Sequence, residues 1–191
     1  MARAWRVIEG KKIKLRDLNR YDLHKCLKWL KDRRVIKYLD FDLVNADLAQ
    51  EIRWLRIMHS SPNDYVFAIQ EKDGKYIGNI GLHRINWRDK NCMLGIFIGE
   101  IEEWNKGNGT DAIKTILKYA VNKLGLHKIN LHVYEYNPRA IRVYEKCGFK
   151  KEGLLKEGHY YNGKYWDVII MGILNRDVVK IISGKDNLKN I

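Results

Sequence analysis

The chain has 191 residues, 46% hydrophobic and 31% charged, which is the balance of one folded domain that needs no disulfide or metal staples and excludes a disordered or collagen-like protein. Its 36 basic and 23 acidic residues leave a formal charge of +13, which favours polyanionic partners such as nucleic acid, an acidic protein or a phosphate-rich cofactor. No apolar run approaches the ~18 residues of a membrane-spanning helix, the N-terminus reads as no secretory signal, and the scattered Cys26, Cys92 and Cys147 read as reduced thiols, so a cytoplasmic protein with no membrane partner is expected.

Residues 12–16 alternate as a first strand, and Asn19 is placed to cap a helix whose apolar face is Leu23, Leu27, Trp29 and Leu30. Asn45 is placed to start a second helix carrying Leu48, Ile52, Leu55 and Met58. The period then changes. Residues 65–70 and 76–86 predict two strands around an Asp73-Gly74 turn, and 92–98 a third after a turn at 87–91, together an antiparallel meander. A glycine loop at 106–109 leads into a long helix with Ile113, Ile116, Leu117, Ala120, Val121 and Leu124 on one face, ended by Gly125. Residues 128–134 form a strand. Asn137-Pro138 opens a helix that stops at Gly148, since proline suits the first helical turn. Two more strands, near 149–157 and 164–173, meet at Asn162-Gly163, and a short helix is expected after Asn175. Hairpins followed by strand–helix–strand–helix make a mixed sheet flanked by helices.

The chemistry concentrates between Cys92 and Phe149. There a strand runs through Trp104-Asn-Lys-Gly-Asn-Gly-Thr110 straight into a helix. Glycines let backbone approach a ligand closely, and unpaired N–H groups at a helix start bind phosphate. The loop is no Walker A sequence and a poor dinucleotide fingerprint, because the third glycine would fall at Ala112. Taken alone, it is also the pattern of a tight turn into a helix. Asn137 and Tyr144, seven apart, share one helix face. Cysteines and histidines lack metal-ligand spacing, so no metal is expected.

Taken in order, Leu94–Ile98, Lys106–Thr110, Leu126–Ile129, Asn137–Ile141, Tyr144–Phe149, Gly163–Asp167 and Met171–Leu174 resemble the GNAT superfamily of acyl-CoA N-acyltransferases. Within it the chain looks most like the branch of ribosomal-protein N-terminal and polyamine acetyltransferases. The resemblance spans residues 11–174 as one N-acetyltransferase domain, with 175–191 as a C-terminal tail. It implies an α/β (mixed α+β) GNAT fold: a mostly antiparallel mixed sheet, flanked by helices and splayed between its fourth and fifth strands, with acetyl-CoA as co-substrate in the gap. Asn105, Lys106, Gly107, Asn108, Gly109 and Thr110 would hold the pyrophosphate. The strand edge at Phe97 and Ile98 would meet the pantetheine and polarise the thioester. Asn137 would bond the pantetheine arm, and Tyr144 would serve as general acid to the thiolate.

Two departures stand out. Trp104 replaces the Gln or Arg that usually opens the phosphate loop, and Met93 occupies the place where many members carry a glutamate base. An amine must lose a proton to attack, so a base or a desolvated site is needed. Glu100, His83 and Glu135 are the candidates, and the base stays unassigned. The aromatics Trp29, Trp54, Trp87, Tyr160, Tyr161 and Tyr165 suit either core packing or an acceptor pocket. A positive chain attracts polyamines poorly. That ranks a peptide or ribosomal-protein N-terminal α-amine first, with ribosome or other polyanion contact. A polyamine, amino sugar or antibiotic comes second. A non-catalytic basic RNA- or ribosome-binding protein on the same fold is the alternative from another class, and a homodimer stays open.

Overall fold

The computed structural model describes residues 6–39 and 47–183. Its strands are β1 (Val7–Glu9), β2 (Ile13–Asp17), β3 (Tyr65–Glu71), β4 (Tyr76–Asn86), β5 (Asn91–Ile98), β6 (Lys128–Tyr134), β7 (Lys150–Tyr161) and β8 (Lys164–Leu174). Its helices are α1 (Leu23–Leu30), α2 (Arg33–Ile36), α3 (Leu48–Ser60), α4 (Asn108–Asn122), α5 (Pro138–Lys146) and α6 (Asn175–Ile182). The strand order is β1-β2-β3-β4-β5-β6-β8-β7. β1 adds one strand ahead of those expected, so the expected fourth and fifth strands are β5 and β6. Two compact units divide the chain, Met1–Arg84 with Gly95–Ile116 and Ile85–Leu94 with Leu117–Ile191.

In the first unit, β2 buries Ile13, Leu15 and Asp17 by strict alternation and pairs antiparallel with β3, which pairs antiparallel with β4. Leu23, Trp29, Val35 and Leu55 from the helices join Val66, Ala68 and Tyr76 in one core, and Leu48, Ile52 and Met58 of α3 lean on it, as their spacing predicts. Asn19 does not cap α1. Its Oδ1 accepts the Tyr21 N–H at 2.9 Å, a local turn that ends before the helix, and Asp22 stands at the N-cap. The Asp22 carboxylate is held instead by Arg16, at 2.6 and 2.7 Å. Asn45 lies outside the described residues. α3 begins with a capping box between Asp47 and Gln50. The β3–β4 turn uses Gly74 at φ +102°. β5 runs so close to β4 that the Phe97 carbonyl oxygen lies 2.2 Å from where a Cβ on Gly78 would stand, so only glycine fits there. At its end the Gly99 and Glu100 N–H groups both donate to the Ile77 carbonyl, at 2.9 and 3.2 Å, which is a bulge.

In the second unit, β5 pairs with β6 in parallel from Asn91↔Lys128 to Met93↔Asn130. β6 continues beside β8 as far as Tyr134↔Val168. β7 and β8 form a long antiparallel hairpin through Asn162 and Gly163, at φ +51° and +82°, the positive pair that a tight two-residue turn requires. β7 runs four residues past the expected 157, because register shifts between Leu155 and His159, with Glu157 at φ +52°, let it bulge and carry on. Ile129, Leu131, Val133, Cys147, Phe149 and Met171 are buried.

Candidate functional site

The loop from Trp104 to Thr110 presents a row of backbone N–H groups. Asn105 (φ +61°) and Gly107 (φ +85°) flank Lys106, whose φ is negative, so successive peptide N–H groups turn toward one side as a nest. The N–H groups of Asn105, Lys106, Gly107, Asn108 and Gly109 find no acceptor among the described residues. The loop is braced from outside. The Trp104 indole N–H donates to the Ile98 carbonyl at 2.8 Å and ties the start of the loop to the end of β5. The Asn108 amide donates to Glu71 at 3.1 Å, so that buried side chain faces the fold. Asp111, in the first turn of α4, accepts the N–H groups of Lys11, Lys12 and Ile13 at 3.2, 2.7 and 3.1 Å. Lys12 in turn donates to the Lys106 carbonyl at 2.8 Å. Buried Glu103 binds Lys75 and Lys106 at 2.7 and 3.1 Å, and these hydrogen bonds hold its carboxyl down at about 2. Lys12 and Asp111 carry no sequence signal for this role, since they meet across about a hundred residues of chain and through the backbone.

The three candidate bases differ. Burial raises the Glu100 carboxyl, but hydrogen bonds from Lys25 and Trp29 outweigh it, and the group ends below the usual carboxylate range. A carboxylate so stabilised is a weak proton acceptor. Exposed Glu135 is tied to β8, where its Oε2 accepts the Asp167 N–H at 3.4 Å. Half-buried His83, on β4, places Nδ1 3.1 Å from Asp64. Phe97 packs its ring edge-on to Trp29 at 6.2 Å. The Ile98 carbonyl already accepts one hydrogen bond, from Trp104.

In the second unit, Asn137 caps α5. Its Oδ1 accepts the Ala140 N–H at 3.2 Å, and its Nδ2 donates to no described residue. Two turns on, Tyr144 is buried with its ring edge-on to Phe149 at 5.9 Å. Its hydroxyl has no partner among the described residues, and burial pushes it up to about 12. One helix face thus carries an unspent amide donor and an unspent hydroxyl. The last hairpin carries an aromatic ladder: Tyr134 stacks on His159 at 3.9 Å, and Tyr136 stacks on Tyr161 at 5.3 Å. Tyr160 and Tyr165 form a separate exposed pair. Trp29 and Trp54 belong to the core of the first unit, and Trp87 is exposed in the turn after β4. Among the described residues no group of three or more His, Cys, Asp or Glu could hold a metal ion, and no helix is long and apolar enough to cross a membrane.

Residues 12–150 match the family described as Acetyltransferase (GNAT) domain, and the chain belongs to that family of acetyl-CoA-dependent N-acetyltransferases. It is 31% identical over 161 residues to the spermidine N(1)-acetyltransferase of Escherichia coli strain K12, covering 84% of this chain and 85% of that one. A shorter alignment to the Vibrio cholerae spermidine N(1)-acetyltransferase is 39% identical over 108 residues, 56% of this chain and 62% of the relative. The crystal structure of spermidine N-acetyltransferase from Vibrio cholerae in complex with CoA and spermine superposes with a TM-score of 0.83 at 29% identity, over 89% of this chain and 99% of that one.

Proposed function

We propose that this protein transfers the acetyl group of acetyl-CoA to a primary amine of a small aliphatic polyamine. The observation that carries the reading is the full-length likeness to a spermidine acetyltransferase solved with CoA and spermine. The preference for a peptide α-amine rested on net charge alone, and the relatives favour the alternative. Local chemistry supports that choice. Tyr134, Tyr136, His159 and Tyr161 form a set of stacked rings, and aromatic ring faces attract cations, as the Lys164 ammonium 3.4 Å from the Trp166 ring centre illustrates.

In this reading the nest at 105–110 holds the pyrophosphate, the β5 edge at Phe97 and Ile98 meets the pantetheine and polarises the thioester, Asn137 Nδ2 bonds the pantetheine arm, and Tyr144 protonates the departing sulfur. The neutral amine adds to the thioester carbon, fixed donors stabilise the oxyanion, and the C–S bond then breaks. The three free cysteines and the dependence on acetyl-CoA support a cytoplasmic setting. The test is thiol release from acetyl-CoA against spermidine, spermine, free lysine, an amino sugar and peptides with varied N-termini. Turnover confined to the polyamines is the expected result. Turnover on peptides alone transfers the reading to N-terminal acetylation, and none on any amine leaves a non-catalytic binding protein.

A further inference from the structure

Met93 leaves the amine without a proton acceptor at the expected place, and the first unit holds a replacement a strand away. His83 lies on β4, and its Nδ1 faces the Asp64 carboxylate at 3.1 Å. Asp64 sits just before β3 and also accepts the Ser61 hydroxyl at 2.6 Å and the Arg84 N–H at 3.3 Å. Burial opposes ionisation of Asp64, but these hydrogen bonds and His83 prevail and hold it below the usual carboxylate range. An ionised carboxylate only accepts, so Nδ1 carries the hydrogen and Nε2 is the basic nitrogen of the neutral ring. Nε2 makes no hydrogen bond among the described residues.

The ring lies over a floor of glycines. A Cβ on Gly81 would stand 2.5 Å from Nε2, and one on Gly95 of β5 would stand 3.6 Å from it. Gly95 is two residues beyond Met93 on the same strand face, so the imidazole occupies space above β5 that side chains there would otherwise fill. The His83 side chain keeps 31% of its surface exposed.

Resting on the acetyl-transfer reading above, we propose that His83 is the general base and that Asp64 is its positioning residue. When the neutral amine adds to the thioester, the C–N bond forms and the nitrogen becomes positive. It passes one proton to Nε2 of His83, the carbonyl re-forms, and the C–S bond breaks with its electron pair leaving on sulfur, which then takes up a proton. His83 returns its proton to solvent. The ionisable groups around it are few. Asp64 faces it from the α3–β3 connection, Arg84 follows it on β4 and meets Asp64 through its backbone, β5 presents Gly95 and Met93, and Glu100 beyond the strand is bound to Lys25.

The test follows kcat and kcat/KM for spermidine against pH in the full-length native protein, His83→Gln, His83→Ala and Asp64→Asn, with acetyl-CoA affinity measured alongside. His83→Gln is expected to lose about a hundredfold in kcat, keep acetyl-CoA affinity and lose the acidic limb of the profile. Asp64→Asn should lower kcat while leaving the KM values near native, since it removes the carboxylate that orients the Nδ1–H and so aims Nε2. Added imidazole should restore part of the His83→Ala rate, which no purely structural role would allow. Native turnover with an unaltered profile in His83→Gln, or no rescue of a folded His83→Ala protein, overturns the base assignment alone. Absence of turnover with any amine in the native protein overturns both the base and the acetyl-transfer reading.

Discussion

A phenol serves as a proton donor only while it still holds its proton, and burial keeps Tyr144 protonated well above neutral pH, with its hydroxyl pushed up to about 12. Because that shift is upward, the acid form persists through the working range and begins to fail only toward strongly alkaline pH. Tyr144→Phe keeps the ring against Phe149 and removes only the hydroxyl. It should lower kcat about a hundredfold while the KM for acetyl-CoA and the melting temperature stay near native. Steady-state kinetics and a thermal melt check both halves, and a variant with native kcat would remove Tyr144 from the chemistry. The shared helix face of Asn137 and Tyr144 was legible from their seven-residue spacing. His83 was legible as one of three candidate bases, but its contact with Asp64 was not, because the two lie 19 positions apart and meet only once the α3–β3 connection folds back on β4.

At the scale of elements, α5 starts on a residue to which the proposed function gives two duties. Asn137 Oδ1 caps the helix, and Nδ2, which meets no described residue, is the donor proposed for the pantetheine arm. Asn137→Ala removes both, at about 1 kcal/mol of stability from the lost cap, or about 2–4 °C in melting temperature for a chain of this size. Asn137→Asp keeps a capping oxygen and loses the amide donor. It should melt close to the native protein yet show the same rise in KM for acetyl-CoA as the alanine variant. A melt combined with KM measurements separates the duties, and a native KM in Asn137→Asp would confine the residue to the cap. The helix itself was readable to within a residue from Asn-Pro at its start and Gly148, at φ +92°, at its end. β1 was not, since three exposed or half-exposed residues, Val7–Glu9, on the outer edge carry no burial pattern. β7 also hides its length, because its exposed alternation is broken by the bulge near Glu157. Asn19 misled for a related reason, since an asparagine that satisfies a nearby N–H in a turn looks, in sequence, like one that caps a helix.

For the whole molecule, charge separates the two substrates that the proposed reaction must bring together. A chain of formal charge +13 attracts the phosphates of acetyl-CoA and repels a polyamine at long range. Salt screens both effects, with a Debye length of about 10 Å at 0.1 M. The local features that suit a cation, the stacked rings, act over shorter distances and are screened less. Raising ionic strength from about 0.05 M to about 0.5 M should therefore raise the KM for acetyl-CoA several-fold, since the nest at 105–110 works in concert with Lys12 and the overall positive field. Over the same range the KM for spermidine should hold steady or fall, because the repulsion that opposes its approach is removed. Steady-state titrations of each substrate with the other saturating, at matched pH, read the two trends separately. Parallel rises in both constants would mean that exposed carboxylates, rather than rings and short-range contacts, capture the polyamine. An acetyl-CoA KM indifferent to salt would mean that the backbone nest alone accounts for cofactor capture and that the excess of lysine and arginine serves another partner.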